Sequence, residues 1–420
     1  MGTMSVKRQS NFQSGAVSLF VVMFAMLIIS VMTISFLRIM VTDQNQASDN
    51  DLSQSAFDSA QAGVEDAKRA LLEYQRVCRT QGASACSDFA NKISTDICNR
   101  GVIDSGAVSA SNVNGGTSTN PGEIMVQQSS MSNDDDLNQA YTCLKLKLAT
   151  DDYIGELSAG ESRLVPLIPV EGQSFNTVTV KWFTNEDVSN PAAALNIASA
   201  AGGSPLSNKA SWPANRPSVM RTQLIQVGNQ FTLDGFDLAA GASPNVRSNA
   251  NTVFLYPVAV PGPASVVNTE TFTDRDIRKT SAAGVPLPSS PVQTRCGSSV
   301  SGGGYSCQMS LTLPEPLGTS SRNVAYLRLT PYYNATHFQV ILSQGGPVDA
   351  SSSNLRQFKD VQPEIDSTGR ANDLFRRVIS RVDLYDTLSP YPDATLDITG
   401  NLCKDFGVTS TTYEAGTCTP

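Results

Sequence analysis

The chain has 420 residues, room for one large or two medium domains besides an anchor. Apolar residues make up 40% and charged residues only 16%, with the balance in Ser, Thr, Asn and Gly, a mixture common in β-rich, loop-rich exported proteins. The formal net charge of −8 disfavours a phosphate-gripping, nucleic-acid-binding role, which needs a basic face.

From the amino terminus, Lys7 and Arg8 precede a polar stretch, Gln9 to Ser14, and then Gly15. Residues Ala16 to Leu37, AVSLFVVMFAMLIISVMTISFL, carry no charge and exceed the roughly 20 residues that cross a bilayer as a helix. Ser18, Ser30, Thr33 and Ser35 are polar, but each can bond back to its own helix. The cations ahead of the span place the amino terminus in the cytoplasm and the remainder outside, with Arg38 on the far side opposing that bias. A cleaved signal peptide fits less well, because its apolar region is about 7–15 residues long. A plain membrane anchor is the stronger rival.

Between Met40 and Arg76 there is no Pro, and Leu52, Ala56, Ala60, Gly63, Val64, Ala67, Leu71 and Tyr74 recur every three or four residues. They form one stripe of a helix, with Asp58, Glu65, Arg69 and Arg76 opposite and Glu65–Arg69 at a favourable i,i+4 spacing. The spacing predicts a membrane helix that continues unbroken over 16–76, apolar all round in its first half and on one face in its second. The first half needs lipid or sister helices, and the second needs a globular domain to lie against.

This pattern resembles the type IV pilins, and most closely PilX-type minor pilins. The residues that carry the likeness are QSGAV at Gln13 to Val17 and AFDSAQAGVEDAKRAL at Ala56 to Leu71. The resemblance implies a leader over 1–15, cleavage after Gly15 by a prepilin peptidase and methylation at Ala16. It also implies filament-core packing through Phe20, Phe24, Leu27 and Ile28, with other pilins and a membrane assembly platform as partners. Major pilins usually carry Glu at the fifth mature position, where this chain has Phe20. A subunit without that charge suits a tip or initiating position.

Beyond residue 76 the reading is an extracytoplasmic head over 77–420. Residues 103–138, rich in Ser, Asn, Gly and Thr, read as an inserted loop, and Asn133 to Asp136 as a solvated acidic cluster. Strand signals follow at 141–149, 177–183, 220–227, 253–260, 308–313, 324–329 and 337–342, with loops over 191–217 and 265–304. The absence of helical patterns between them argues against a doubly wound sheet. Glu364 to Leu384 reads as a hairpin turning at Gly369, with Arg377, Ile379, Arg381 and Asp383 on an exposed face, and similar hairpins occur in minor pilins.

The eight cysteines, Cys78, Cys86, Cys98, Cys143, Cys296, Cys307, Cys403 and Cys418, include no CxxC pair, and there is one histidine, His337. Zinc ligation is therefore disfavoured, and an even count beside an export segment points to disulfides. Eight cysteines allow 105 connectivities, so Cys296–Cys307 and Cys403–Cys418 are chosen only as sequence neighbours. No metal, cofactor or catalytic motif emerges: GxSxG, a P-loop, GxGxxG after a strand and HExxH are all missing. His337, in THFQVIL, reads as a strand residue.

The expectation is thus an α+β protein: a long transmembrane and amphipathic helix, then a β-rich antiparallel, pilin-like head with long loops. Its expected role is that of a non-enzymatic minor pilin in the cytoplasmic membrane and then in a surface pilus, with surface adhesion as the expected role of the head. The main alternative is a membrane-tethered adhesin or binding module outside any filament, and the second is an anchored hydrolase, which a deep carboxylate-lined cleft in the head would support.

Overall fold

The computed structural model describes residues 14–94, 98, 124–126, 139–202, 205–226, 252–259, 269–271, 291–318, 325–348 and 351–384. Helix α1 (Ser14–Thr80) is unbroken, as a stretch free of Pro permits, and at 1.5 Å per residue it is about 100 Å long. Helix α2 (Gly82–Ile93) follows Gln81, and its first residue, Gly82, adopts a positive φ. The strands are β1 (Ile124–Met125), β2 (Gln139–Thr150), β3 (Asp152–Leu157), β4 (Arg163–Pro166) and β5 (Phe175–Trp182). They continue with β6 (Val219–Gln226), β7 (Thr252–Ala259), β8 (Thr269–Thr271), β9 (Val292–Cys296) and β10 (Cys307–Leu317). The last are β11 (Ala325–Tyr332), β12 (Thr336–Ser343), β13 (Leu355–Arg356), β14 (Phe358–Ala371) and β15 (Leu374–Arg381). The chain is α+β: one long apolar amino-terminal helix, then a β-rich region with disulfides.

Two compact units divide the chain, one comprising residues 1–145 and 366–379, the other 146–365 and 380–420. Strands β1, β2, β14 and β15 form a four-stranded sheet in that order, and the division falls within β2, β14 and β15. In the first unit the carboxy-terminal half of α1 buries Ala56, Ala60, Val64, Ala67, Ala70, Leu71, Tyr74 and Val77. These lie on the stripe expected from the 3.6-residue period. Asp58, Glu65, Arg69 and Arg76 are exposed, as that stripe requires. Disulfides Cys78–Cys86 and Cys98–Cys143 staple this unit, and Tyr74 stacks on Phe89 of α2 at 6.3 Å.

The second unit holds an eleven-stranded sheet, ordered β13-β12-β5-β10-β9-β7-β6-β11-β4, with β3 on β12 and β8 on β10. Its core gathers Trp182, Phe175, Phe183, Phe338, Phe358 and the inward-facing Val and Leu residues of the central strands. The Cys296–Cys307 disulfide joins paired positions of β9 and β10. The expected antiparallel sheet needs correction, because β7–β9 and β8–β10 run parallel. The long connection from Ala259 to Val292 gives the chain the length that a parallel crossover needs and a hairpin does not have.

All seven predicted strands form, within two residues at their starts. Strands β1, β3, β4, β8, β9 and β13 were not foreseen; β1 lies inside the stretch read as a loop over 103–138, and β8 and β9 inside the one read as a loop over 265–304. The β-hairpin also needs correction. Its turn is at Asn372 and Asp373, where Asn372 takes φ 51°, and Gly369 lies inside β14. Gly369 serves close approach instead. A Cβ there would sit 2.1 Å from the Ala56 carbonyl oxygen and 2.2 Å from the Ala60 nitrogen of α1.

Candidate assembly helix and its seat

Among the described residues, none covers the apolar surface of α1 from Leu19 to Val41. Every large apolar side chain from Leu19 to Val41 is solvent-facing in the isolated chain, and this is the one helix among the described residues long and apolar enough to cross a membrane. Phe20, Phe24, Leu27 and Ile28 lie at i, i+4, i+7 and i+8, so they share one stripe; Phe20 is 69% exposed. Gly15 and Ala16 fall within the first turn of α1, since the helix starts at Ser14. The apolar exposure runs past Arg38 through Ile39, Met40 and Val41, four residues beyond the expected end of the span. Arg38 is therefore flanked by apolar side chains on both sides, close enough to the end of the run for its long side chain to reach a polar interface.

Three described hydroxyls in this apolar run are satisfied locally. Ser30 Oγ donates to the Met26 carbonyl at 2.7 Å, Thr33 Oγ1 to Ile29 at 2.5 Å and Ser35 Oγ to Val31 at 2.9 Å. They leave no unpaired donor toward lipid or a neighbouring helix, which is what an apolar environment demands.

The second half of α1 has a seat within its own unit. Its small residues let the sheet approach closely: Ala56 and Ala60 face Gly369, and Gly63 faces Ser367 and the Tyr141 ring. A Cβ on Gly63 would lie 2.3 Å from Ser367 Oγ and 3.1 Å from the Tyr141 ring. Arg376 Nε, on β15, donates to Ser53 Oγ at 2.8 Å.

A buried polar contact fixes the register. Tyr141 Oη donates to Asp66 Oδ2 at 2.8 Å, and Arg69 Nη1 donates to Asp66 Oδ1 at 3.1 Å. Burial, reinforced by the Asp66 charge, pushes the Tyr141 phenol well above its ordinary pKa, so it remains a donor across the physiological range. The expected Glu65–Arg69 pair is replaced by Glu65–Lys68 at 2.7 Å and Asp66–Arg69 at 3.1 Å. The buried Asp66 is the acceptor that most needs a charged donor, whereas Glu65 is open to water. Asp66 was missed because the helical stripe was read from apolar residues alone. Its place between Val64 and Ala67, with Arg69 three residues on, was the available signal.

The arginines expected on an exposed face of β15 divide. In the first unit Arg377 clamps Asp366 with two bonds of 2.6 Å while flanked by exposed Phe375 and Ile379. In the second unit Arg381 is half-buried, bonded to Glu364 at 2.8 Å and Asp152 at 3.2 Å, and Asp383 accepts from Arg163 at 2.9 Å. Only Arg377 and Ile379 of that expected set are exposed.

His337 lies in β12, as the alternation in THFQVIL predicts, and its ring meets carboxylates on both nitrogens. Among the described residues no cluster of His, Cys, Asp and Glu is placed to hold a metal ion. Cys403, Cys418 and the acidic cluster at 133–136 lie outside the described residues, as does most of the 103–138 loop.

Comparison with known proteins finds no matching family profile, no matching curated protein and no matching solved structure.

Proposed function

We propose that the chain is a minor pilin: a membrane-inserted prepilin whose leader is removed after Gly15 and whose helix then packs into a type IV pilus or related filament. The observation that carries this reading is the division of labour along α1. One half is apolar and exposed all round, and the other half is seated through Ala56, Ala60, Gly63 and Asp66 in its own unit. A simple anchor needs only the first half. A continuous helix that is rigidly seated at one end presents the other end at a fixed angle, which suits docking among sister helices.

The role is structural. Burial of the Leu19–Val41 surface supplies the driving force in the fibre core, through Phe20, Phe24, Leu27 and Ile28 among others. Phe20 stands where major pilins carry a carboxylate, so this subunit fits a tip or initiating position and leaves its β-rich region free as a pilin-like, adhesive head. The chemistry at Gly15 and the methylation of Ala16 belong to the prepilin peptidase, and insertion belongs to the membrane assembly platform. The chain resides first in the cytoplasmic membrane and then on the surface fibre.

The test is replacement of Gly15 by Val in cells that carry a prepilin peptidase. Loss of leader removal together with loss of the protein from sheared fibres is expected. Unchanged processing and unchanged fibre content would leave only the tethered binding module.

A further inference from the structure

The one histidine of the chain sits where three carboxylates converge. His337 Nδ1 lies 2.8 Å from Asp187 Oδ1, while Nε2 lies 3.2 Å from Glu186 Oε2 and 3.8 Å from Glu156 Oε2. Glu156 comes from β3, directly across the ladder from His337. Glu186 and Asp187 come from the 3-10 turn Asn185–Asp187, which follows β5. A neutral imidazole owns one N–H, so it can satisfy one of these sides and must turn a lone pair toward the other. Only the imidazolium donates on both.

Asp187 makes the arrangement sensitive to charge. Its side chain is 4% exposed. It already accepts from the backbone N–H of Thr184 at 2.8 Å and from the backbone N–H of His337 at 3.0 and 3.1 Å. Asp187 thus joins the turn to β12 through a buried carboxylate whose one ion-pair partner among the described residues is the protonated ring. The other charged groups in the neighbourhood do not substitute for it. Burial holds the Lys181 ammonium of β5 below its ordinary range against the charge of Asp152, and the half-buried Tyr305 phenol, pushed up to about 12 by burial and then by Asp152, Asp187 and Glu186, stays neutral.

We propose that protonated His337 is a latch that fastens the Thr184–Asp187 turn to β12 in mild acid and loosens it in mild alkali. Burial draws the histidine's pKa down, but the Asp187 hydrogen bond and the charges of Asp187, Glu156 and Glu186 outweigh it, leaving a net rise. The sign follows from that rise. The stabilisation is complete below the unfolded value of about 6.5 and is lost as the pH climbs through the higher folded value. The turn opens the β5–β6 connection, which carries Trp212, stacked at 4.1 Å on Tyr333 just ahead of β12. The latch therefore acts on a segment that is also tied to the β11–β12 connection.

The test uses the full chain in detergent micelles with ring-labelled histidine, which gives one imidazole resonance because the chain has one histidine. Its titration midpoint in the folded protein is expected above that of the same chain in urea, and Glu186→Gln should lower it. Hydrogen exchange of the peptide spanning 184–188, corrected for intrinsic rates, should be severalfold slower at pH 5.5 than at pH 8.5. His337→Gln, which keeps a neutral donor, should abolish that difference. A folded midpoint at or below the unfolded one overturns the proposal, as does equal protection at both pH values or a pH response retained in His337→Gln. If His337→Gln does not fold, the wild-type and Glu186→Gln midpoints still decide.

Discussion

Replacing Gly369 by Ala probes how the sheet sits on the helix within the first unit. The added methyl would lie 2.1 Å from the Ala56 carbonyl oxygen, 2.2 Å from the Ala60 nitrogen and 2.9 Å from the Ala60 Cα. All three are helix backbone, so no side-chain rotation relieves the overlap. The strand must lift from α1 and surrender packing on both sides. Overpacking a tight interior costs about 1–3 kcal/mol, and a clash between two backbones belongs at the upper end, about 3 kcal/mol. At about 1.4 kcal/mol per tenfold, amides of β14 and of α1 near Ala60 should exchange roughly 100-fold faster. Hydrogen-exchange mass spectrometry on the full chain in detergent reads this directly. Gly302→Ala is the control, because a Cβ there meets nothing within 4 Å and should change stability by less than about 0.5 kcal/mol. Equal exchange in the two variants would refute the close seating of β14 on α1.

Gly63→Ala should destabilise the same unit by about 1–3 kcal/mol, because its Cβ meets Ser367 Oγ at 2.3 Å. Ser367→Ala in the same chain should recover most of that loss, and strictly additive effects would show that the two do not meet. Tyr141→Phe removes a donor from the buried Asp66 and should cost about 1.5–3 kcal/mol, read as faster exchange around residue 66. A cost below about 0.5 kcal/mol would mean that Asp66 does not depend on that bond. Replacing both Cys296 and Cys307 by Ala should lower the stability of the second unit by about 3 kcal/mol in the chain-entropy model. Both tryptophans of the chain, Trp182 and Trp212, are buried in that unit, so the urea midpoint of their fluorescence reports it, and an unmoved midpoint would refute the estimate.

Long-period patterns were legible in the sequence, and features set by cross-chain contact were not. The α1 stripe from Ala56 to Tyr74 was readable because burial on one face of a helix repeats every 3.6 residues. Strands such as β5 and β12 were readable from runs of β-branched and aromatic residues. Strand β3, DYIGEL, was not, because Gly155 lowers its intrinsic preference. That glycine is required by the Phe338 ring opposite, which a Cβ would approach to 2.9 Å. Gly369 was misread for a related reason: glycine marks both turns and close approaches, and only the partner distinguishes them. The true turn rests on Asn372, whose side-chain type tolerates a positive φ. At the candidate site the exposed stripe of Phe20, Phe24, Leu27 and Ile28 was visible in the sequence. The Tyr141–Asp66 bond spans 75 residues, and the carboxylates around His337 come from two other segments, so neither had a local signature.

The central claim is that α1 is the core helix of a processed fibre subunit. The mass of the amino-terminal peptide, from protein recovered in sheared surface fibres, tests it most directly. The peptide is expected to start at Ala16, with or without one added methyl group. A chain that keeps the residues before Ala16 and is found only in membranes would contradict it.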